Sequence, residues 1–102
     1  MAAPKRSSAL PSVPTLDELG VPGVYTLTYY GVLAPANTPK EIVNKLNAEI
    51  NAILQSDEMR ARLAQLAADP GTGSPEEFGK FMESELKRYG EIVRISGAKG
   101  VQ

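Results

Sequence analysis

The groups in this sequence that could do chemistry are scattered carboxylates, two adjacent tyrosines and one glycine-rich turn. Asp17, Glu18, Glu49, Asp57, Glu58, Glu76, Glu77, Glu83, Glu85 and Glu91 supply acid groups in number. A glycosidase needs two of them facing across a cleft. Most of these lie in first turns or on polar helix faces, where the helix dipole and solvent account for them. Gly71-Thr72-Gly73-Ser74 ahead of a helix has the look of a phosphate cradle. No strand precedes it, no third glycine follows and no lysine stands where a P-loop needs one. It reads as a C-cap turn followed by an N-cap. Tyr29-Tyr30 could stack bases. No basic residue lies between Arg6 and Lys40, so the charge that tracks a phosphate backbone is missing and packing is the better reading.

The rest of the composition narrows the field further. The 102 residues contain no His and no Cys. That removes the usual general base near neutral pH, thiolate nucleophiles and the commonest metal ligands. An enzyme would need a Glu, Lys or Tyr of strongly shifted pKa, and no such constellation is visible. The expectation is a chain with no catalytic residue, no metal site and no cofactor. With 11 Lys plus Arg against 12 Asp plus Glu, the net charge of −1 gives no footprint for nucleic acid. Apolar runs are only a few residues long, so direct membrane insertion is not expected. Hydrophobic residues at 42% and charged residues at 23% are ordinary for a globular segment.

The elements that must position these groups are well punctuated. Five of the 8 prolines fall in the first 35 residues. Each fixes φ and pushes its predecessor out of the helical region, so residues 1–14 read as an extended connector. Thr15-Leu16-Asp17-Glu18, Thr38-Pro39-Lys40-Glu41 and Ser74-Pro75-Glu76-Glu77 each fit the capping box, with Pro39 and Pro75 at the first helical position. The first predicts a short helix from Thr15 that stops near Gly20. Between Val24 and Ala34, alternation of Tyr25, Leu27 and Tyr29 with Thr26, Thr28 and Tyr30 predicts a half-buried strand. Gly31 inside it suggests a bulge or a close backbone approach. A second helix is predicted over 39–55, with Ile42, Leu46, Ile50 and Ile53 or Leu54 as its apolar stripe. A third covers about 57–68, carrying Met59, Leu63, Leu66 and Ala67. The fourth runs from Pro75 to about 96 and carries Phe78, Phe81, Met82, Leu86, Tyr89, Ile92 and Val93.

In combination these segments are familiar. Residues 6–23, from Arg6-Ser7-Ser8-Ala9-Leu10-Pro11 to Val21-Pro22-Gly23, closely resemble a stretch of the Bug-type solute receptors. These are the extracytoplasmic binding proteins of tripartite tricarboxylate transporters. Tyr30-Gly31-Val32-Leu33-Ala34-Pro35-Ala36-Asn37-Thr38-Pro39 matches a second signature, and Leu46-Asn47-Ala48-Glu49-Ile50-Asn51 a third. Gly73-Ser74-Pro75-Glu76-Glu77-Phe78 and the helix after it complete the likeness. The resemblance covers essentially the whole chain in one order.

What it implies is the C-terminal third of a two-lobed, type II-like periplasmic binding protein: an α/β fragment, predominantly helical, with one or two strands. Residues 1–24 would be a connector and short helix of the second lobe. Residues 25–35 would form a crossover strand, with Tyr29, Tyr30 and Gly31 as hinge candidates. Residues 36–102 would be three helices packed on the first lobe. The parent would bind a small carboxylated solute in the periplasm and hand it to a membrane transporter. Such receptors hold the solute carboxylate mainly through earlier segments, so no ligand-binding residue is assigned here. Met1-Ala2-Ala3-Pro4-Lys5-Arg6 lacks the pattern of a signal peptide, and the chain as written would be cytoplasmic. The alternative expectation is a self-associating helical module, strand-paired or swapped, without ligand-binding activity. At about 25 cal/mol per Å², apolar stripes left in water cost several kcal/mol, and a homo-oligomer relieves that.

Overall fold

A computed structural model describes residues 1–100 and contains three helices in chain order. They are α1 (Lys40–Gln55), α2 (Asp57–Gln65) and α3 (Pro75–Ser96). α3 starts as its sequence dictates. The Glu77 amide donates to Ser74 Oγ (3.1 Å), and the Ser74 amide donates to Glu77 Oε2 (3.2 Å). Two of the orphan donors at the helix start are satisfied, Pro75 occupies a position where no N–H is needed, and left-handed Gly97 (φ 67) closes the far end.

The other two predicted helix starts need correction. At Thr38 the hydroxyl donates to the Pro35 carbonyl (2.7 Å), and the Thr38 amide goes to the same acceptor (3.3 Å). That closes a turn over Asn37, whose φ of 65 suits an Asn. Pro39 then becomes the extended cap residue and the helix begins at Lys40. At Thr15 the box does form, with the Glu18 amide on Thr15 Oγ1 (3.2 Å) and the Thr15 amide on Glu18 Oε2 (2.8 Å). No helix follows it. Gly20 turns left-handed (φ 82), the Val21 amide folds back to the Leu16 carbonyl (2.9 Å), and Pro22 brings no donor. The predicted first helix is one capped turn.

α2 also ends earlier than its apolar pattern suggests. Ala67 takes φ 52, with the Ala67 amide on the Ala64 carbonyl (3.0 Å) and the Ala68 amide on the Leu63 carbonyl (2.9 Å). This is a complete Schellman stop, built on an alanine where glycine is usual. The predicted strand does not form either. Among the described residues no strand is present, and 24–35 is extended chain without a ladder. Its one backbone hydrogen bond to another segment runs from the Thr26 amide to the Ala2 carbonyl (2.9 Å). The alternation is real, but a strand needs a neighbour along its whole edge.

Among the described residues the only buried ones lie in a small knot at the start of the chain: Ala3, Ser7 and Thr15. The Met1 ammonium donates to the Pro14 carbonyl (2.8 Å) and the Leu16 amide to the Met1 carbonyl (2.9 Å), holding residues 1–3 against 14–16. None of the helices buries a residue fully. α1 half-buries Val43, Asn47, Ile50, Asn51 and Leu54 and leaves Ile42, Leu46 and Ile53 about half exposed. The predicted stripe is therefore split, and most of it looks outward. The radius of gyration is 16.5 Å, against about 13 Å for a compact domain of this length.

Candidate functional site

The extended segment 24–33 crosses α3 and is fixed to it at three points. Tyr25 is held at both ends. Its hydroxyl donates to Asp17 Oδ2 (2.7 Å), which pushes the phenol above its ordinary pKa, and its carbonyl accepts from Arg88 Nη1 (2.8 Å). The Gly23 amide donates to the other Asp17 oxygen (3.2 Å). Arg88 is itself oriented by Glu85 through two parallel bonds of 2.9 and 2.7 Å, and it lies 4.6 Å from the Tyr89 ring centre. The guanidinium holds the Glu85 carboxyl below its usual range.

Tyr29 and Gly31 face the same helix. The Tyr29 ring meets Phe81 edge-on, centroids 4.8 Å apart at 80°, and Phe81 stacks on Phe78 at 6.2 Å. At Gly31 a Cβ would overlap the tip of the Phe78 ring. Of the two sequence readings for this glycine, close approach is the one realised. Tyr30 alternates away and is 94% exposed. The structure therefore brings Tyr29 and Gly31 together on α3 and leaves Tyr30 apart from them.

Below Tyr29 an open groove of about 450 Å³ is lined by Met82, Glu83, Glu85, Leu86 and Tyr89. It is largely apolar, and one of its two carboxylates, Glu85, is paired with Arg88, so it suits an apolar partner. A smaller cleft of about 290 Å³ lies between the N-terminal segment and α2, lined by Ser8, Arg60, Ala64, Ala68, Asp69 and Pro70. Ser8 and Asp69 are hydrogen-bonded across it. Among the described residues no group of three or more Asp or Glu side chains could hold a metal ion.

The glycine turn is a junction. The Gly73 carbonyl accepts from Asn47 and Asn51 of α1, both at 2.9 Å, and the first free amide of α3 is already taken by Glu77. An anion would find a carboxylate where it needs a donor. Sequence reasoning missed Asn47 and Asn51 as a pair. Their i,i+4 spacing beside an otherwise apolar stripe is the signal that could have found them. It also missed Arg88, for which an acidic residue at i−3 is the only sequence hint. Glu18, one of the carboxylates read as solvated surface, is doubly engaged by Arg6 (2.8–3.1 Å) and is lowered to about 2.

Comparison with known proteins gives these contacts a context. Residues 1–98 match the sequence profile described as Tripartite tricarboxylate transporter family receptor. A UPF0065 protein from the tcbD-tcbE intergenic region of Pseudomonas sp. (strain P51) is 38% identical over 89 residues, covering 86% of this chain and 26% of that protein. Protein BugT of Bordetella pertussis is 36% identical over 94 residues, 92% of this chain and 29% of BugT. Among solved structures, R. palustris Rpa4515 with adipate superposes with a TM-score of 0.76 at 38% identity, over 94% of this chain and 32% of that one. The chain thus spans under a third of the length of these three relatives.

Proposed function

We infer the function from one premise: this chain belongs to the tripartite tricarboxylate transporter receptor family. Its helices make up a segment of a binding-protein fold, and the family is one of solute receptors. We propose that the 102 residues serve as the hinge and the first-lobe helices of a receptor for small carboxylates, working in the periplasm beside a membrane transporter. In this reading residues 1–24 belong to the second lobe, 25–35 are the crossover and 36–102 complete the first lobe. Tyr29, Tyr30 and Gly31 act at the crossover. The solute itself is held elsewhere in the receptor, which fits the apolar lining of the groove and the occupied turn at Gly73.

The observation that carries this reading is the form of residues 24–33. They are extended, unpaired with any strand, and clipped to α3 at Tyr25, Tyr29 and Gly31. A segment joining two lobes needs that combination, a free backbone path between fixed points. R. palustris Rpa4515 with adipate supports a dicarboxylate as the solute class. The test is a hybrid in which residues 1–98 replace the matched third of the R. palustris protein, titrated calorimetrically with adipate. Binding within about tenfold of the unmodified protein is expected (about 1.4 kcal/mol). Gly31→Ala in the hybrid should weaken it several-fold by pushing the crossover off Phe78. A folded hybrid that gives no heat with adipate overturns the dicarboxylate reading.

A further inference from the structure

Among the described residues, two hydrogen bonds join residues 1–25 to the helical part of the chain, and they are built differently. The first is the Arg88 contact. Nε and Nη2 of Arg88 are taken by Glu85, which leaves Nη1 to donate to the Tyr25 carbonyl at 2.8 Å. The Arg88 and Glu85 side chains are only 26% and 14% exposed. The same peptide is held from its other side, where the Thr26 amide donates to the Ala2 carbonyl at 2.9 Å. Ala2 lies in the N-terminal knot, and the Tyr25 phenol is tied to the turn after that knot through Asp17. The Tyr25–Thr26 peptide is thus clamped between the knot and α3. Past it, Tyr29 and Gly31 rest on Phe81 and Phe78 and follow that helix. The second bond is exposed and stands alone. Ser8, next to buried Ser7 of the knot, donates through its hydroxyl to Asp69 beyond α2, and both residues are open to solvent. Ala64 and Ala68 line the cleft beside it, so little packing is lost when this bond parts.

We propose that the Arg88–Tyr25 contact is a pivot on which the N-terminal knot swings against the helices, and that Ser8–Asp69 is the latch of that swing. One donor on one carbonyl is a swivel. The acceptor takes a donor over a broad range of directions, so the bond turns without breaking. Glu85 keeps the guanidinium aimed throughout, because its two parallel bonds fix the plane of the group on α3. Water replaces the exposed Ser8 hydroxyl on Asp69 at little net cost, and the latch yields first. The inference rests on the lobe assignment above, which makes the swing a movement of lobes, and it names the residues that set it. The latched arrangement is the one that superposes on R. palustris Rpa4515 with adipate over 94% of this chain. The latch therefore belongs to the solute-holding state, and its loss shortens the stay of the solute.

A pivot and its latch differ from two independent contacts by an asymmetry, and hydrogen exchange on the 102-residue chain reads it. Ser8→Ala should speed exchange of the Ala9 and Leu10 amides several-fold and leave the Thr26 amide unchanged, because the pivot survives an open latch. Arg88→Met should speed both sets several-fold, because the latch has nothing to close against once the pivot is lost. If Arg88→Met costs helix content by circular dichroism, Arg88→Lys replaces it, keeping the charge and losing the fork. Two results overturn the proposal: a Thr26 amide that responds to Ser8→Ala as strongly as Ala9 and Leu10 do, or Ala9 and Leu10 amides that ignore the Arg88 variant. The consequence for the solute is read in the hybrid receptor by stopped flow. There Ser8→Ala should raise the adipate dissociation rate several-fold at an unchanged association rate, and an unchanged dissociation rate in a hybrid that binds adipate overturns the latch. A hybrid that takes no adipate counts only against the solute class, and the exchange asymmetry still decides the pivot.

Discussion

Ala67 holds the stop of α2 in a left-handed conformation (φ 52) that disfavours every residue with a Cβ by roughly 1–2 kcal/mol. Ala67→Gly should therefore stabilise the chain by about 1 kcal/mol, read as a raised denaturation midpoint at unchanged slope. Glu18 makes a pH prediction. Arg6 holds its carboxyl down to about 2, below the ordinary 4.5, so the unfolded chain takes up that proton first. The stabilisation from this pair is complete above about pH 4.5 and fades as pH falls toward 2. Both side chains are over two-fifths exposed, so the effect should be small and screened by salt. Denaturation curves across that window should show a fall that Glu18→Gln removes. At Gly31 an added methyl meets Phe78, and Gly31→Ala should destabilise the segment's docking by about 1 kcal/mol. Shortening the ring with Phe78→Leu should relieve it in a double-mutant cycle.

At the scale of the elements, α3 carries the site, because Phe78, Phe81 and Arg88 receive the crossing segment and Glu85 orients Arg88. Arg88→Met should release the Tyr25 carbonyl and speed hydrogen exchange of amides 24–31 several-fold while leaving the α3 amides unchanged. Gly79 and Gly90 face open space, so alanine at either should add about 1 kcal/mol of helix stability, visible as a higher midpoint in circular dichroism. The positions of α1 and α3 were legible in the sequence because capping residues, prolines and a 3.6-residue period act locally. Thr38 misled because a nearby carbonyl, Pro35, competes for the same hydroxyl. The strand over 24–34 misled because alternation reports the environment a segment is suited to, and no strand stands beside it among the described residues. Arg88, Asn47 and Asn51 were illegible for a related reason. Each bonds a backbone carbonyl more than 20 residues away, and composition carries no trace of that.

For the molecule as a whole, outward stripes, a radius of gyration of 16.5 Å and the match to a third of a receptor belong together. The helices are specified by sequence, and much of their apolar surface stays exposed. The family likeness was readable from the order of short signatures, beginning with Arg6-Ser7-Ser8 and ending in the helix after Ser74. No ligand site was readable in the sequence, and among the described residues neither the groove nor the glycine turn is a cradle for a carboxylate. The groove is lined mainly by apolar side chains with Glu85 already paired to Arg88, and the Ser74 amide beside Gly73 is taken by Glu77. Calorimetric titration of adipate into the 102-residue chain alone therefore tests the central claim most directly. The proposed function predicts no heat beyond dilution, because in that reading these residues serve as the hinge and first-lobe helices while the solute is held elsewhere in the receptor. Saturable one-to-one binding by the chain alone would contradict it.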